Sequence, residues 1–156
     1  MGWGAGNRAL HTPYNTTEYV LIGPRYRTQN PALGPVITDM PVSSLIQLDR
    51  PATLGAGRHT IRGRAYAGED TIRGVAYSID DAPWQPAELL GPSTPGLWAS
   101  WRFDWDAPPG SHQIRIRATD QHGRSQPDSV PWNHHGYLYN AVIAHPVTVH
   151  APAQDT

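Results

Sequence analysis

No cysteine occurs anywhere in the sequence, which removes disulfides, thiolate nucleophiles, iron–sulfur clusters and cysteine-ligated zinc from the chemistry open to the chain. The redox state of its compartment is therefore unreadable from disulfides. Lysine is missing too: all 12 basic side chains are arginine, so a phosphate grip built on an ammonium is excluded, while two-pronged guanidinium contacts stay open. These arginines stand against 13 acidic residues, and the near balance leaves no global field to attract nucleic acid or an anionic membrane surface. No apolar run nears the roughly 20 residues of a membrane-spanning helix. Met1-Gly2-Trp3 opens neither a basic n-region nor an apolar h-region, so no export signal is expected in the chain. Helical patterning is also scarce. No stretch sets apolar residues at i, i+3, i+4 and i+7 over three turns without a Pro or Gly between them, and helix is expected to be minor.

The 156 residues suffice for one domain with its own core. Residues 1–57 are rich in Gly, Pro, Asn and Thr, with only short apolar stretches at Tyr19–Ile22 and Leu45–Leu48. They read as a long, mostly irregular arm ending in one strand, and an arm of that length is expected to be docked on something.

From Arg58 onward the pattern becomes one of strands separated by turn signals. His59–Ala67 alternates, with Ile61, Gly63 and Ala65 on one face and Thr60, Arg62, Arg64 and Tyr66 on the other. Arg73–Ile79 predicts Arg73, Val75, Tyr77 and Ile79 on a common face, and Asp80-Asp81-Ala82-Pro83 reads as a hairpin turn. Trp98–Trp105 sets Trp101, Phe103 and Trp105 against Arg102 and Asp104, and Gln113–Thr119 sets Ile114, Ile116 and Ala118 against Arg115 and Arg117. A last strand near Val142–Val149 closes the sheet. The predicted fold is all-β, an immunoglobulin-like β-sandwich with a long irregular N-terminal arm and no cystine between its sheets.

Five blocks in order carry a family resemblance. They are Gly57–Glu69 (GRHTIRGRAYAGE); Val75–Asp80 (VAYSID) with Trp84; Trp98–Trp105; Arg115–Asp120 (RIRATD) with Gly123-Arg124 and Gln126-Pro127; and Pro131-Trp132-Asn133 leading through Gly136–Val142 to His145-Pro146-Val147. Together they resemble the C-terminal dimerisation domain of the sulfite oxidase family of molybdopterin-dependent oxidoreductases, over roughly residues 40–150. Upstream, Asn15–Gly23 resembles the segment that joins the catalytic and dimerisation domains in bacterial relatives. The resemblance implies residues 1–40 as that junction, 41–150 as the immunoglobulin-like dimerisation domain and 151–156 as a tail. It also implies a homodimer, and a molybdopterin-binding catalytic domain or subunit as the second partner. The molybdenum cofactor would be held there, since the family's metal takes a cysteine sulfur and this chain has none. By itself the chain is not expected to turn over.

The same resemblance singles out Trp132-Asn133-His134-His135-Gly136, similar to the family loop that turns back toward the molybdenum pocket. His135 stands where vertebrate sulfite oxidases place an arginine, and Asn133, His134 and His135 become candidates for a substrate-anion pocket. An imidazole has fewer donors than a guanidinium and is charged only near or below about pH 6.5, so the departure puts sulfite in doubt as the parent's substrate. On an extended chain, adjacent histidines point to opposite faces, which argues against a metal site from His134, His135 and His145. Trp132, Tyr137, Tyr139, Arg62 and Arg64 are candidates for an interface. Arg62, Arg64, Arg115 and Arg117 would make a basic stripe if they shared a face, although alternation on a half-solvated sheet is the commoner source of that pattern. Trp98, Trp101 and Trp105 would make a sugar-stacking platform if exposed together, which is the alternative function of a free-standing binding module; core is the commoner fate of that pattern.

Overall fold

The computed structural model describes residues 21–25, 37 and 39–152. Of the predicted arm, residues 1–20, 26–36 and 38 lie outside the described residues, among them Tyr19, Val20 and most of the junction-like segment, as do residues 153–156 of the predicted tail. The described end of the arm holds two strands, Ser43–Ile46 and Ala52–Gly55, where the sequence predicts one. Together the described residues hold eight strands and no helix: β1 (Ser43–Ile46), β2 (Ala52–Gly55), β3 (Gly57–Tyr66), β4 (Ile72–Ile79), β5 (Gln85–Leu89), β6 (Ala99–Ala107), β7 (Gly110–Asp120) and β8 (His145–His150). They belong to one of two compact units, Asp39–Val130 with Tyr139–Thr156.

The strands follow the order β1-β3-β6-β5-β4-β7-β8-β2. β5 passes from one sheet to the other, pairing with β6 through Glu88 and Leu89 and with β4 through Gln85–Ala87. The result is two stacked sheets: β1, β3, β6 and the end of β5 in the first, and the start of β5 with β4, β7, β8 and β2 in the second. β1 joins β3 antiparallel while β2 joins β8 parallel, so the N-terminal edge is divided between the sheets. The architecture is the predicted immunoglobulin-like sandwich.

The period-two readings of β3, β6 and β7 hold. Ile61, Ala65, Trp101, Phe103, Trp105, Ile114, Ile116 and Ala118 are all buried in one core, and Tyr77 of the second sheet stacks on Phe103 of the first at 3.8 Å. No disulfide joins the sheets; burial of apolar surface, at about 25 cal/mol per Å², holds them together. β4 departs from the sequence reading. Its pairing with β7 slips between Ile72 and Gly74, and this bulge turns Arg73 out to solvent and brings Ile72 into the core in its place.

Asp80 and Asp81 form the predicted hairpin turn, both with positive φ (52° and 60°), and Ala82 N–H donates to the Ile79 carbonyl at 3.0 Å. That is the backbone of a type I′ turn, in which aspartate is tolerated where glycine is commoner. β7 braces it. The Asp80 carboxylate accepts from Gln113 N–H at 2.8 Å and lies 2.6 Å from His112 Nδ1, while His112 Nε2 lies 2.9 Å from the Pro108 carbonyl. With an acceptor at each ring nitrogen, the doubly protonated imidazolium is favoured.

The Asp80 hydrogen bond, opposed by partial burial and aided by the Pro108 carbonyl, holds the His112 pKa above its ordinary value. For Asp80, desolvation pushes the carboxyl up, but the His112 and Gln113 hydrogen bonds outweigh it and leave the pKa lowered. The histidine contribution to stability is therefore complete below about pH 6.5 and lost as pH rises through the raised value; the aspartate contribution is present above about pH 4 and lost as pH falls through the depressed one. Thermal unfolding of the native chain and of His112→Gln is expected to differ most between those limits and to converge as pH rises through the raised histidine value. A difference that grows above neutrality would contradict the assignment.

Candidate functional site

The second compact unit contains Pro131–Leu138 together with the described residues before Asp39. In it, five of the predicted site residues form one construction. Asn133, 7% exposed, uses both ends of its amide on one residue: Tyr137 N–H donates to its Oδ1 and its Nδ2 donates to the Tyr137 carbonyl, each at 2.9 Å. Gly136 N–H reaches the Asn133 carbonyl at 3.2 Å, and Gly136 takes the left-handed conformation that closes the turn (φ 67°). His134 N–H donates to the Ile22 carbonyl at 2.7 Å. Asn133 is thus the clamp of the loop, its amide spent on backbone.

His134 and His135 occupy the two central positions of this turn. The alternation of an extended chain does not apply there, and their rings stand side by side, edge to face at 4.9 Å. His135 stacks on Tyr137 at 5.0 Å, and His134 meets Trp132 at 6.3 Å. The loop presents a row of rings in which Trp132 (67%), His134 and His135 are exposed and Tyr137 is half-buried. Among the described residues no three His, Asp or Glu side chains lie close enough to hold a metal ion.

The other candidates lie on the sandwich. Arg62 and Arg64 project from the outward face of the first sheet, exposed and without an ion partner among the described residues. Their neighbours are paired: Arg58 with Asp104 at 2.8 Å and Arg102 with Glu88 at 2.7 Å. Hydrogen bonds from Arg58 and Thr60 hold the Asp104 carboxyl below the usual carboxylate range. Arg115 and Arg117 project from the outward face of the second sheet, where Asp81 and Asp128 neutralise them and Trp84 lies 4.5 Å from the Arg117 guanidinium. The four arginines therefore make no common stripe. Trp101 and Trp105 are buried, so no three-indole platform forms with Trp98. Tyr139 is exposed.

Two features had no warning in the sequence pattern. One is a groove of about 250 Å³ lined by Leu45, Ile46, Leu48, Ile116, Ile143 and His145 among others. Gln126 helps to shape it, accepting from Ser44 Oγ at 2.6 Å and Ala118 N–H at 3.0 Å while donating to the Asn140 carbonyl at 3.0 Å. The other is the contact of Trp98, 47% exposed, with Tyr66, their rings 5.3 Å apart. Only the register of β3 with β6, Ala65 opposite Ala99, reveals that pair.

Comparison with known proteins follows the same lines. The sulfane dehydrogenase SoxCD from Paracoccus pantotrophus superposes with a TM-score of 0.75 at 22% identity, over 90% of this chain and 37% of that one. The chain thus spans little more than a third of that protein, and at this identity the likeness speaks for the fold. An endo-beta-1,4-mannanase from Thermotoga petrophila (TM-score 0.49, 14% identity, 76% of this chain and 21% of that one) is a weaker match. So are the fibronectin(III)-like modules of Clostridium thermocellum CbhA (TM-score 0.46, 15% identity, 80% and 53%). No curated protein sequence matches. Residues 34–151 match the family model of the Mo-co oxidoreductase dimerisation domain, a span that includes all five ordered blocks and all eight strands. The chain belongs to the Mo-co oxidoreductase dimerisation domain family.

Proposed function

We propose that the chain pairs two protomers of a sulfite-oxidase-like molybdenum-cofactor oxidoreductase and packs against a cofactor-bearing domain that lies outside it. The observation that carries this reading is the family match over residues 34–151. The residues themselves agree with the division of labour: there is no thiolate in the sequence, and the described residues offer no donor set that fits a pterin-bound metal. Oxygen-atom transfer at molybdenum accordingly belongs to another polypeptide segment. In this arrangement residues 1–40 connect to that segment, 41–150 form the pairing domain and 151–156 trail from it.

The loop Trp132–Tyr137 is the part we assign to the cofactor domain's side. A row of largely exposed rings held by a buried asparagine clamp is preorganised to meet a partner surface, and two neighbouring imidazoles offer N–H donors to a substrate anion.

Sedimentation equilibrium of the full chain tests the pairing. A species of twice the chain mass that dissociates on dilution is the expected result. A single-chain mass across the whole micromolar range would sink the proposal.

A further inference from the structure

We propose that the outward face of the first sheet, β1-β3-β6 with the end of β5, is the surface through which two copies of this chain associate. Arg62 and Arg64 of one copy would lie against the end of the face that carries Asp106 in the other, across a two-fold axis. The inference rests on the pairing proposed above and names its surface.

Charge is segregated along this face. Arg58–Asp104 and Arg102–Glu88 neutralise each other within the chain, leaving three exposed charges with no ion pair among the described residues: Arg62, Arg64 and Asp106. Arg64 lies opposite Ser100, and Asp106 opposite Arg58. Six residues of β3 separate those rows, roughly 20 Å at the rise of an extended strand. The unpaired positive charge thus sits at one end and the unpaired negative charge at the other. A two-fold axis lying between the two faces, parallel to the sheet and running across its strands, sets each end against its opposite, the self-complementarity that an isologous contact requires. On the second sheet Asp81 and Asp128 satisfy Arg115 and Arg117, and only Arg73 is exposed with no ion pair among the described residues.

Apolar anchors accompany the arginines. Strand alternation puts Tyr66, next to buried Ala65, and Trp98, next to buried Ala99, on the outward side, where their rings meet at 5.3 Å. Leu45, opposite Arg64 in the β1–β3 ladder, is 44% exposed on the same side. Tryptophan, tyrosine and arginine close together are the composition of an interface hot spot.

The dimer dissociation constant of the full chain, measured by sedimentation equilibrium, tests the inference. Reversing both arginines (Arg62→Glu with Arg64→Glu) is expected to weaken association by about 100-fold or more. Adding Asp106→Arg to that double variant restores complementary ends and is expected to recover most of the loss. Trp98→Ala alone should weaken it by about 30-fold, and serves as the second probe should the reversed pair fail to fold. A native chain that dimerises as tightly with both arginines reversed and with Trp98→Ala overturns the surface while leaving the pairing intact. That is also the outcome if some other domain occupies this face. Weakening without rescue by Asp106→Arg overturns the two-fold charge match, and a native chain that never dimerises overturns surface and pairing together.

Discussion

Replacing Gly63 with alanine is expected to lower the thermal midpoint by about 10 °C, corresponding to a loss of about 3 kcal/mol. Gly63 lies within β3 opposite Trp101 of β6, in a ladder of nine consecutive partners. A Cβ there would stand 2.0 Å from Trp101 Cζ2 and 2.2 Å from the Leu45 carbonyl oxygen of β1. Neither neighbour has room to give. The indole is fully buried between the sheets, at 0% exposure, and the carbonyl is backbone of the adjoining strand. The glycine is therefore required for space: three strands close over an indole only where one of them lacks a side chain. Thermal unfolding checks the claim, and a variant melting within about 2 °C of the native chain would refute it. Trp101→Phe is the natural companion, because the indole N–H finds no acceptor among the described residues and its loss removes no hydrogen bond. If the two positions conflict as described, alanine at position 63 should cost much less on the phenylalanine background, a non-additivity that a double-mutant cycle reads directly.

The same residues show what the sequence made legible. Ile61, Gly63 and Ala65 were assigned to one face by alternation alone, because β3 has a dry side and a wet side and two-residue periodicity records that difference. Alternation carries no register, however. That Gly63 meets Trp101, or that Trp98 meets Tyr66, depends on which residues of β3 and β6 are partners. β2 and β5 left no trace in the pattern for a related reason. Ala52–Gly55 is four residues long and begins just after a proline, and Gln85–Leu89 contains Pro86. What makes them strands is their partners: β8 for β2, and β4 and β6 for β5. Arg73 was placed on the wrong face because a bulge is a property of the pairing between β4 and β7, invisible in either strand separately.

The candidate loop was located by resemblance and could not have been shaped by periodicity. Its geometry depends on Asn133 reaching Tyr137 and on Gly136 adopting positive φ, which is turn chemistry and sets aside the alternation expected of neighbouring histidines. Arginine partners followed the same logic. Arg115 and Arg117 pair with Asp81 and Asp128, 34 and 11 residues away along the chain. A turn and a loop folded back over the sheet decided those pairs.

Removing the Asp120 carboxylate is expected to cost about 3 kcal/mol, the scale of several hydrogen bonds to a charged group lost at once. Asp120 is the last residue of β7, turned inward by the strand's alternation and only 1% exposed. It closes the loop that follows: its carboxylate accepts from the His122 and Arg124 backbone N–H groups, both at 2.9 Å, and from Arg124 Nε at 2.6 Å. Desolvation pushes this carboxyl upward, but the Arg124 backbone and guanidinium bonds and the His122 N–H together outweigh it, and the pKa is lowered. A depressed carboxylate stabilises the fold above its unfolded value, near pH 3.9, and that contribution disappears as pH falls through the folded value. Asp120→Asn separates charge from shape. It keeps an oxygen acceptor for the loop, loses the ion pair with Arg124, and has no carboxyl left to titrate. Denaturant unfolding from pH 7 downward should therefore show the native chain more stable than Asp120→Asn at neutrality and the two converging below about pH 4. Asp120→Ala should be the least stable at neutral pH, though cushioned by Asp70, which also binds the Arg124 guanidinium. A constant gap between the native chain and Asp120→Asn across that range would mean that the carboxylate's charge does not hold the loop.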